Sequence, residues 1–92
     1  MAKRRAHLFI EGRVQGVCYR AFTKDAAVSR GLTGWVKNLP DGRVEAVLEG
    51  ESDSIERAVA ECYKGPPASH VTNIAIEWED FKGEFAGFDI RY

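Results

Sequence analysis

Nine residues, Gly12-Arg13-Val14-Gln15-Gly16-Val17-Cys18-Tyr19-Arg20, combine two glycines, a short run of small and apolar residues, and an arginine. That combination suits the binding of an anion. Gly12 and Gly16 lack a Cβ, so they can take positive φ and let a ligand approach the backbone. Successive amides in such a turn can converge as a nest. The free N–H groups of a following helix add the positive end of its dipole. Arg20 supplies a permanent charge and a planar fork of donors, matched to phosphate or carboxylate. A phosphoryl group is the expected guest. No Gly-Lys-Ser/Thr follows the glycines, so the stretch is not a Walker-type loop. Spacing alone fits equally well a plain strand-to-helix turn, with the glycines serving only the backbone and Arg20 a solvated helix residue.

The elements that must position this stretch can be read along the chain. Residues 6–12 alternate and predict a first strand. Tyr19 to Arg30 has helical spacing, with Gly31 suited to its end. Residues 33–39 predict a second strand and Arg43 to Glu49 a third, joined as a hairpin by Pro40-Asp41-Gly42. In the third strand Val44, Ala46 and Leu48 are expected inward, with Glu45, Val47 and Glu49 outward. Gly50 ends that strand. Ser52 or Asp53 can cap a second helix with the stripe Ile55, Val59, Cys62 and Tyr63, stopped by Gly65-Pro66-Pro67. Val71 to Glu79 predicts a fourth strand with Ile74, Ile76 and Trp78 inward. Phe88 to Tyr92 alternates as a short final strand.

The order βαββαβ predicts an α+β, ferredoxin-like sandwich: an antiparallel sheet in the order 4-1-3-2 with both helices on one face. In that topology strands one and two end at the same edge, about 10 Å apart across the intervening strand. The glycine-rich turn follows strand one, and Asn38 sits near the end of strand two. An asparagine offers an acceptor and a donor and can hold a water in a fixed orientation. A cradle, an arginine and a water-orienting amide together describe hydrolysis of a phosphorylated compound by positioning and charge stabilisation. Asn38 fits as well the opening of the turn that follows it.

Other candidates are weaker. Cys18 lies near a helix N-terminus, which can lower a thiol pKa, but no histidine neighbours it and it reads as a small filler. His7 reads as structural. His70, after the second helix, is expected at the same edge in a loop role rather than as a base. No spacing of Cys, His or carboxylates suggests a metal site. Two isolated thiols without a CxxC pair fit a reducing compartment. The chain has 92 residues and a formal net charge of −1, which argues against a general nucleic-acid binder. No apolar run is long enough for a membrane span, and no signal-like segment follows the basic N-terminus. Lys3-Arg4-Arg5 is expected to be a solvated tail.

The stretch from Gly12 to Arg20 resembles the first signature of the acylphosphatase family. Gly34-Trp35-Val36-Lys37-Asn38-Leu39-Pro40-Asp41-Gly42-Arg43-Val44 resembles the second. Gly65-Pro66-Pro67 and the ending Phe88-Asp89-Ile90-Arg91-Tyr92 are also similar to that family, and the likeness runs from Ala6 to Tyr92. The resemblance implies hydrolysis of acyl phosphates to a carboxylate and inorganic phosphate, without metal or cofactor. The first-signature arginine, here Arg20, would bind the substrate phosphate together with the amides of the Gly12, Arg13, Val14, Gln15, Gly16, Val17 and Cys18 loop. The second-signature asparagine, here Asn38, would orient the attacking water. Leu39 stands where animal members commonly carry a threonine, so no hydroxyl supports Asn38 from that position. Leu39-Pro40-Asp41-Gly42 looks more like prokaryotic members.

The expectation is therefore a cytoplasmic, monomeric enzyme with one domain over residues 1–92, residues 1–5 being a flexible tail. Inorganic phosphate would be both product and inhibitor, with no nucleic-acid or membrane partner. Two other classes are open to the same fold. An RNA-binding module would stack bases on the open sheet face, where Phe9 is available but Glu45, Glu49, Glu77 and Glu79 would repel the backbone. A catalytically idle domain of a larger protein handling carbamoyl phosphate is the second, and the chain's end at Tyr92 favours a free-standing enzyme over it.

Overall fold

The structure, a computed structural model, describes residues 2–92. It contains β1 (Lys3–Arg13), α1 (Tyr19–Val28), β2 (Thr33–Asn38), β3 (Val44–Glu51), α2 (Ser52–Lys64), β4 (His70–Asp80) and β5 (Phe88–Arg91). The strands form one sheet in the order β4-β1-β3-β2-β5. The ferredoxin-like core is as expected. The sheet is mixed rather than wholly antiparallel, because β5 adds beside β2 as a parallel strand.

Alternation decides which face is covered. Ala6, Leu8 and Ile10 of β1 and Val44, Ala46 and Leu48 of β3 are fully buried on the side facing the helices. They meet Tyr19 and Ala27 of α1 and Ile55, Ala58, Val59 and Cys62 of α2. α1 ends as expected: Gly31 takes φ 71° and the Leu32 amide reaches back to the Ala27 carbonyl at 2.9 Å.

Several elements depart from the sequence reading. The expected tail is part of β1: Lys3, Arg4 and Arg5 pair with Glu51, Gly50 and Glu49 of β3, and Arg4 and Arg5 also pair with Asp80 and Glu79 of β4. The cause is electrostatic as well as topological. The Arg5 side chain is only 12% exposed and lies among Glu49, Glu79 and Glu84. Burial opposes its charge, but those three carboxylates outweigh it and hold the guanidinium pKa above its ordinary value. β3 runs through Gly50 to Glu51. Val47 and Glu49 are buried on the open face, not outward in solvent. The segment joining β4 to β5 helps to cover Glu49, whose carboxylate accepts the Lys82 amide at 2.8 Å. The residue before α2 is Glu51, which makes no side-chain cap. Tyr63 and Ile76, expected in the core, are 46% and 37% exposed, since β4 is an edge strand.

Candidate active site

β1 is turned into the loop by a bulge. The β1–β4 register shifts between Glu11 and Gly12. Gly12 has φ 121°, and a Cβ there would stand 2.0 Å from the His70 carbonyl oxygen, so only glycine fits. The chain then drops Val14 into the core at 1% exposure, and Val17 packs partly against the same cluster. These two anchors leave the backbone between them as a shallow arch. Gly16 (φ 74°) and Cys18 (φ 65°) take left-handed conformations within it. For Cys18, a residue with a Cβ, that conformation is strained.

The arch leaves its donors free. Among the described residues, no amide of residues 14–18 donates to a backbone carbonyl or a side chain; the first bond of the region is Phe22 N–H to the Cys18 carbonyl, 3.1 Å. Cys18 makes no side-chain cap and the first turn of α1 holds no acidic residue. The positive end of the helix therefore faces the arch without a resident counter-charge.

Arg20 sits in that first turn. Its Nη1 donates to the Arg91 carbonyl at 3.1 Å, and its guanidinium carbon lies 4.6 Å from the centre of the Tyr92 ring. Among the described residues no carboxylate forms an ion pair with it. Asn38 ends β2 opposite Val44. Its Oδ1 is buried and has no hydrogen-bond partner, an arrangement that costs free energy unless a donor arrives from outside the protein.

These parts line one cleft of about 210 Å³, with Gly16, Cys18, Arg20 and Asn38 around it and Ile90 and Tyr92 closing one side. That volume suits a small phosphorylated compound. Of the residues singled out from sequence, Arg20, Asn38, Val14, Gly16 and Cys18 meet there. Gly12 and Arg13 do not; they stay in the β1–β4 ladder opposite Val71 and His70. Val17 supports the arch from below. Gln15 turns away from the cleft, its Nε2 donating to the Leu39 carbonyl at 2.8 Å and the Arg43 carbonyl at 2.9 Å. His70 opens β4 and does not line the cleft.

Sequence reasoning missed three parts of this site: the bracing by Gln15, the Arg91 carbonyl and the Tyr92 ring. The only signal for the last two was the alternation of residues 88–92, which does not say which strand they join. The hairpin beside Asn38 is held by Asp41, which accepts the Arg43 amide at 3.0 Å and Arg43 Nε at 2.8 Å. The backbone hydrogen bond from Arg43, with the guanidinium beside it, lowers the Asp41 pKa.

A family model described as Acylphosphatase matches residues 6–90. An acylphosphatase of Syntrophobacter fumaroxidans is 55% identical over 92 residues, which covers 100% of this chain and 95% of that protein. The crystal structure of acylphosphatase from Bacillus subtilis superposes with a TM-score of 0.94 at 37% identity, covering 97% of this chain and 99% of that one. Full-length HypF, in a phosphate- and nucleotide-bound form, matches 98% of this chain with 12% of its own length, at a TM-score of 0.85 and 27% identity.

Proposed function

The chain belongs to the acylphosphatase family, and on that premise we propose that Arg20 and the amides of the Val14–Cys18 arch hold the phosphoryl group of an acyl phosphate while Asn38 orients the attacking water. The reaction is hydrolysis of the carboxyl–phosphate bond to a carboxylate and inorganic phosphate. The water oxygen attacks phosphorus in line, the bond to the acyl oxygen breaks, and the carboxylate leaves with the electron pair. The carboxylate is a weak base, so departure needs little acid assistance. Among the described residues no histidine or carboxylate side chain lines the cleft, so a phosphoryl oxygen of the substrate takes the proton of the water.

The observation that carries this reading is the buried, unpartnered Oδ1 of Asn38 beside a backbone arch whose amides have no internal acceptors. One group lacks a donor and the other set lacks an acceptor. A water on Asn38 and a phosphoryl group in the arch satisfy both. Fixed donors aimed at developing charge contribute several kcal/mol without reorganisation, and fixed orientation of the water lowers the barrier further.

The enzyme acts as a monomer in the cytoplasm, with inorganic phosphate as a competitive inhibitor, and the described residues form one domain. No helix among the described residues is long and apolar enough to cross a membrane. Phosphate release from benzoyl phosphate tests the reading. It should follow saturation kinetics, be inhibited competitively by inorganic phosphate, and proceed unchanged in the presence of EDTA. A chelator-sensitive rate restored by one divalent ion would refute the metal-free mechanism.

A further inference from the structure

The open face of the sheet carries a second group of side chains that the cleft chemistry does not use. His7 lies in the middle of β1, directly opposite Glu77 of β4, with Glu79 two residues further along the same strand. The imidazole is fixed from three sides. Its ring centre is 4.7 Å from that of Phe9 and 6.4 Å, edge-on, from that of Trp35. Its Nε2 is 2.6 Å from Oε2 of Glu45, on the neighbouring β3.

With Nε2–H donating to Glu45, the Nδ1 lone pair of the neutral ring is left free. Nδ1 stands 3.6 Å from Oε2 of Glu79, beyond hydrogen-bond reach. One ligand atom from each of His7, Glu77 and Glu79 lies within 4.8 Å of the other two. An imidazole lone pair and two carboxylates thus converge with no donor of their own between them. The cation beside this group is Arg5, with Nε 3.2 Å from Oε1 of Glu79, and it is shared with Glu49 and Glu84.

We propose that His7, Glu77 and Glu79 form a binding site for a borderline divalent transition-metal ion, represented by Zn²⁺, on the sheet face opposite the helices. The donor set decides the class. Imidazole with carboxylates suits zinc, cobalt, nickel or copper, whereas calcium and magnesium favour oxygen alone. The Glu45–His7 contact is the outer-shell arrangement that fixes the tautomer of a ligating histidine and raises its basicity. Zinc–ligand bonds of about 2.0–2.2 Å require the three atoms to close by roughly an ångström. Glu77, exposed, and Glu79, half-buried, can supply that movement. Water completes the shell. Bound there, the ion clips β1 to the edge strand β4 and takes no part in hydrolysis.

Titration of the full chain with zinc chloride, followed by calorimetry, tests this, with cobalt chloride as a spectroscopic counterpart. One ion should bind per chain. His7→Gln, and separately the double variant Glu77→Gln/Glu79→Gln, should each weaken binding at least about tenfold. Glu45→Gln should weaken it by about 10–100-fold, the scale of outer-shell losses. Benzoyl phosphate hydrolysis should be unchanged in His7→Gln. If circular dichroism shows His7→Gln misfolded, the double glutamine variant, altered only on the outer strand, decides. Cys18 and His70 are the competing donors. A cobalt–thiolate charge-transfer band, or binding lost in His70→Gln but kept in His7→Gln, would assign the ion elsewhere and overturn the proposal. Absence of saturable binding at millimolar zinc would also overturn it, leaving His7 to its contact with Glu45.

Discussion

One amide group of Gln15 joins the two halves of the cleft, through its hydrogen bonds to the carbonyls of Leu39 and Arg43. Those two residues close the hairpin that follows Asn38, with the Leu39 amide donating to the Arg43 carbonyl at 2.8 Å. Gln15 itself belongs to the arch. The pairing of Ile10 and Asn38 on either side of Val44 sets the spacing between the phosphoryl cradle and the water-orienting asparagine, and one side chain spanning 24 and 28 residues of sequence braces it. Gln15→Ala should leave the carbonyls paired, since Leu39 also accepts from Gly42 and Arg43 from Leu39. The stability loss should then be modest, about 1 kcal/mol. The rate loss should be larger, since a misplacement of about 1 Å can cost ~10²-fold. Steady-state kinetics on the folded variant should show kcat lowered by roughly ten- to a hundredfold, with the phosphate inhibition constant changed far less. Unaltered kcat would remove Gln15 from the positioning machinery.

Arg20 and Asn38 should fail differently. Arg20→Ala should weaken phosphate inhibition and slow turnover together, by about 10³ or more in rate, as for arginines that stabilise phosphoryl-transfer charge. Arg20→Lys should rescue poorly, because an ammonium has no planar fork to share between ligand and the Arg91 carbonyl. Asn38→Ala should lower kcat strongly while phosphate affinity stays close to wild type, the signature of an interaction made mainly in the transition state. Full turnover in folded Asn38→Ala, or unchanged phosphate inhibition in folded Arg20→Ala, would contradict the assigned roles.

His70 should be dispensable. It is exposed, opens β4 and lies outside the cleft. His70→Ala should keep most of the activity at every pH where the wild type is folded. A loss of about a hundredfold, the scale of a general base, would bring it into the mechanism.

Alkaline pH should destabilise the fold through Cys62. Burial pushes its thiol from the ordinary 9.0 up to about 11. A raised folded-state pKa means that the contribution is complete below pH 9 and is lost as pH rises through 11. Two units correspond to roughly 2–3 kcal/mol. Tyr19, whose hydroxyl donates to the Cys62 carbonyl at 2.6 Å, is also held above its ordinary pKa by burial, so it adds loss in the same direction. Urea midpoints measured from pH 7 to 10.5 should fall more steeply for the wild type than for Cys62→Ala. Parallel curves would show that the thiol is not the titrating group.

Periodicity revealed the sheet core because β1 and β3 bury one face completely: Leu8, Ile10, Val44, Ala46 and Leu48 alternate with neighbours that, Val47 apart, are polar or aromatic. Arg20 and Asn38 stand out for another reason: a glycine-rich turn with an arginine and a turn asparagine are local features that resemble signatures of a known family, and both residues line the cleft. Periodicity could not show that Lys3 to Arg5 extend β1, since a basic run looks solvated until Glu49, Glu79 and Glu84 are brought around it from other strands. Glu49 reads as outward by alternation, and its burial follows from Arg5 and the segment after β4, which meet its carboxylate from other parts of the chain. The brace by Gln15 and the anchor at Arg91 were hidden for the same reason. Both are side-chain to backbone contacts across long separations, with no residue pattern of their own.

The anchor has a consequence for how the enzyme is lost on heating. Arg20 is steadied by Arg91, the last residue of β5, and by Tyr92 just beyond it; β5 is four residues at the sheet edge whose only partner strand among the described residues is β2. Phe88 is 6% exposed and pins the start of that strand, and Ile90 packs half-buried against the core, but no strand among those described flanks its outer edge. Local opening of such an edge costs less than global unfolding. Each opening releases the guanidinium while β1, β3 and both helices remain in place. Inactivation should therefore run ahead of melting: activity assayed at temperature should decline at a lower midpoint than far-ultraviolet ellipticity. The thermal limit of this hydrolase would then be the hold of one short strand rather than the strength of its core.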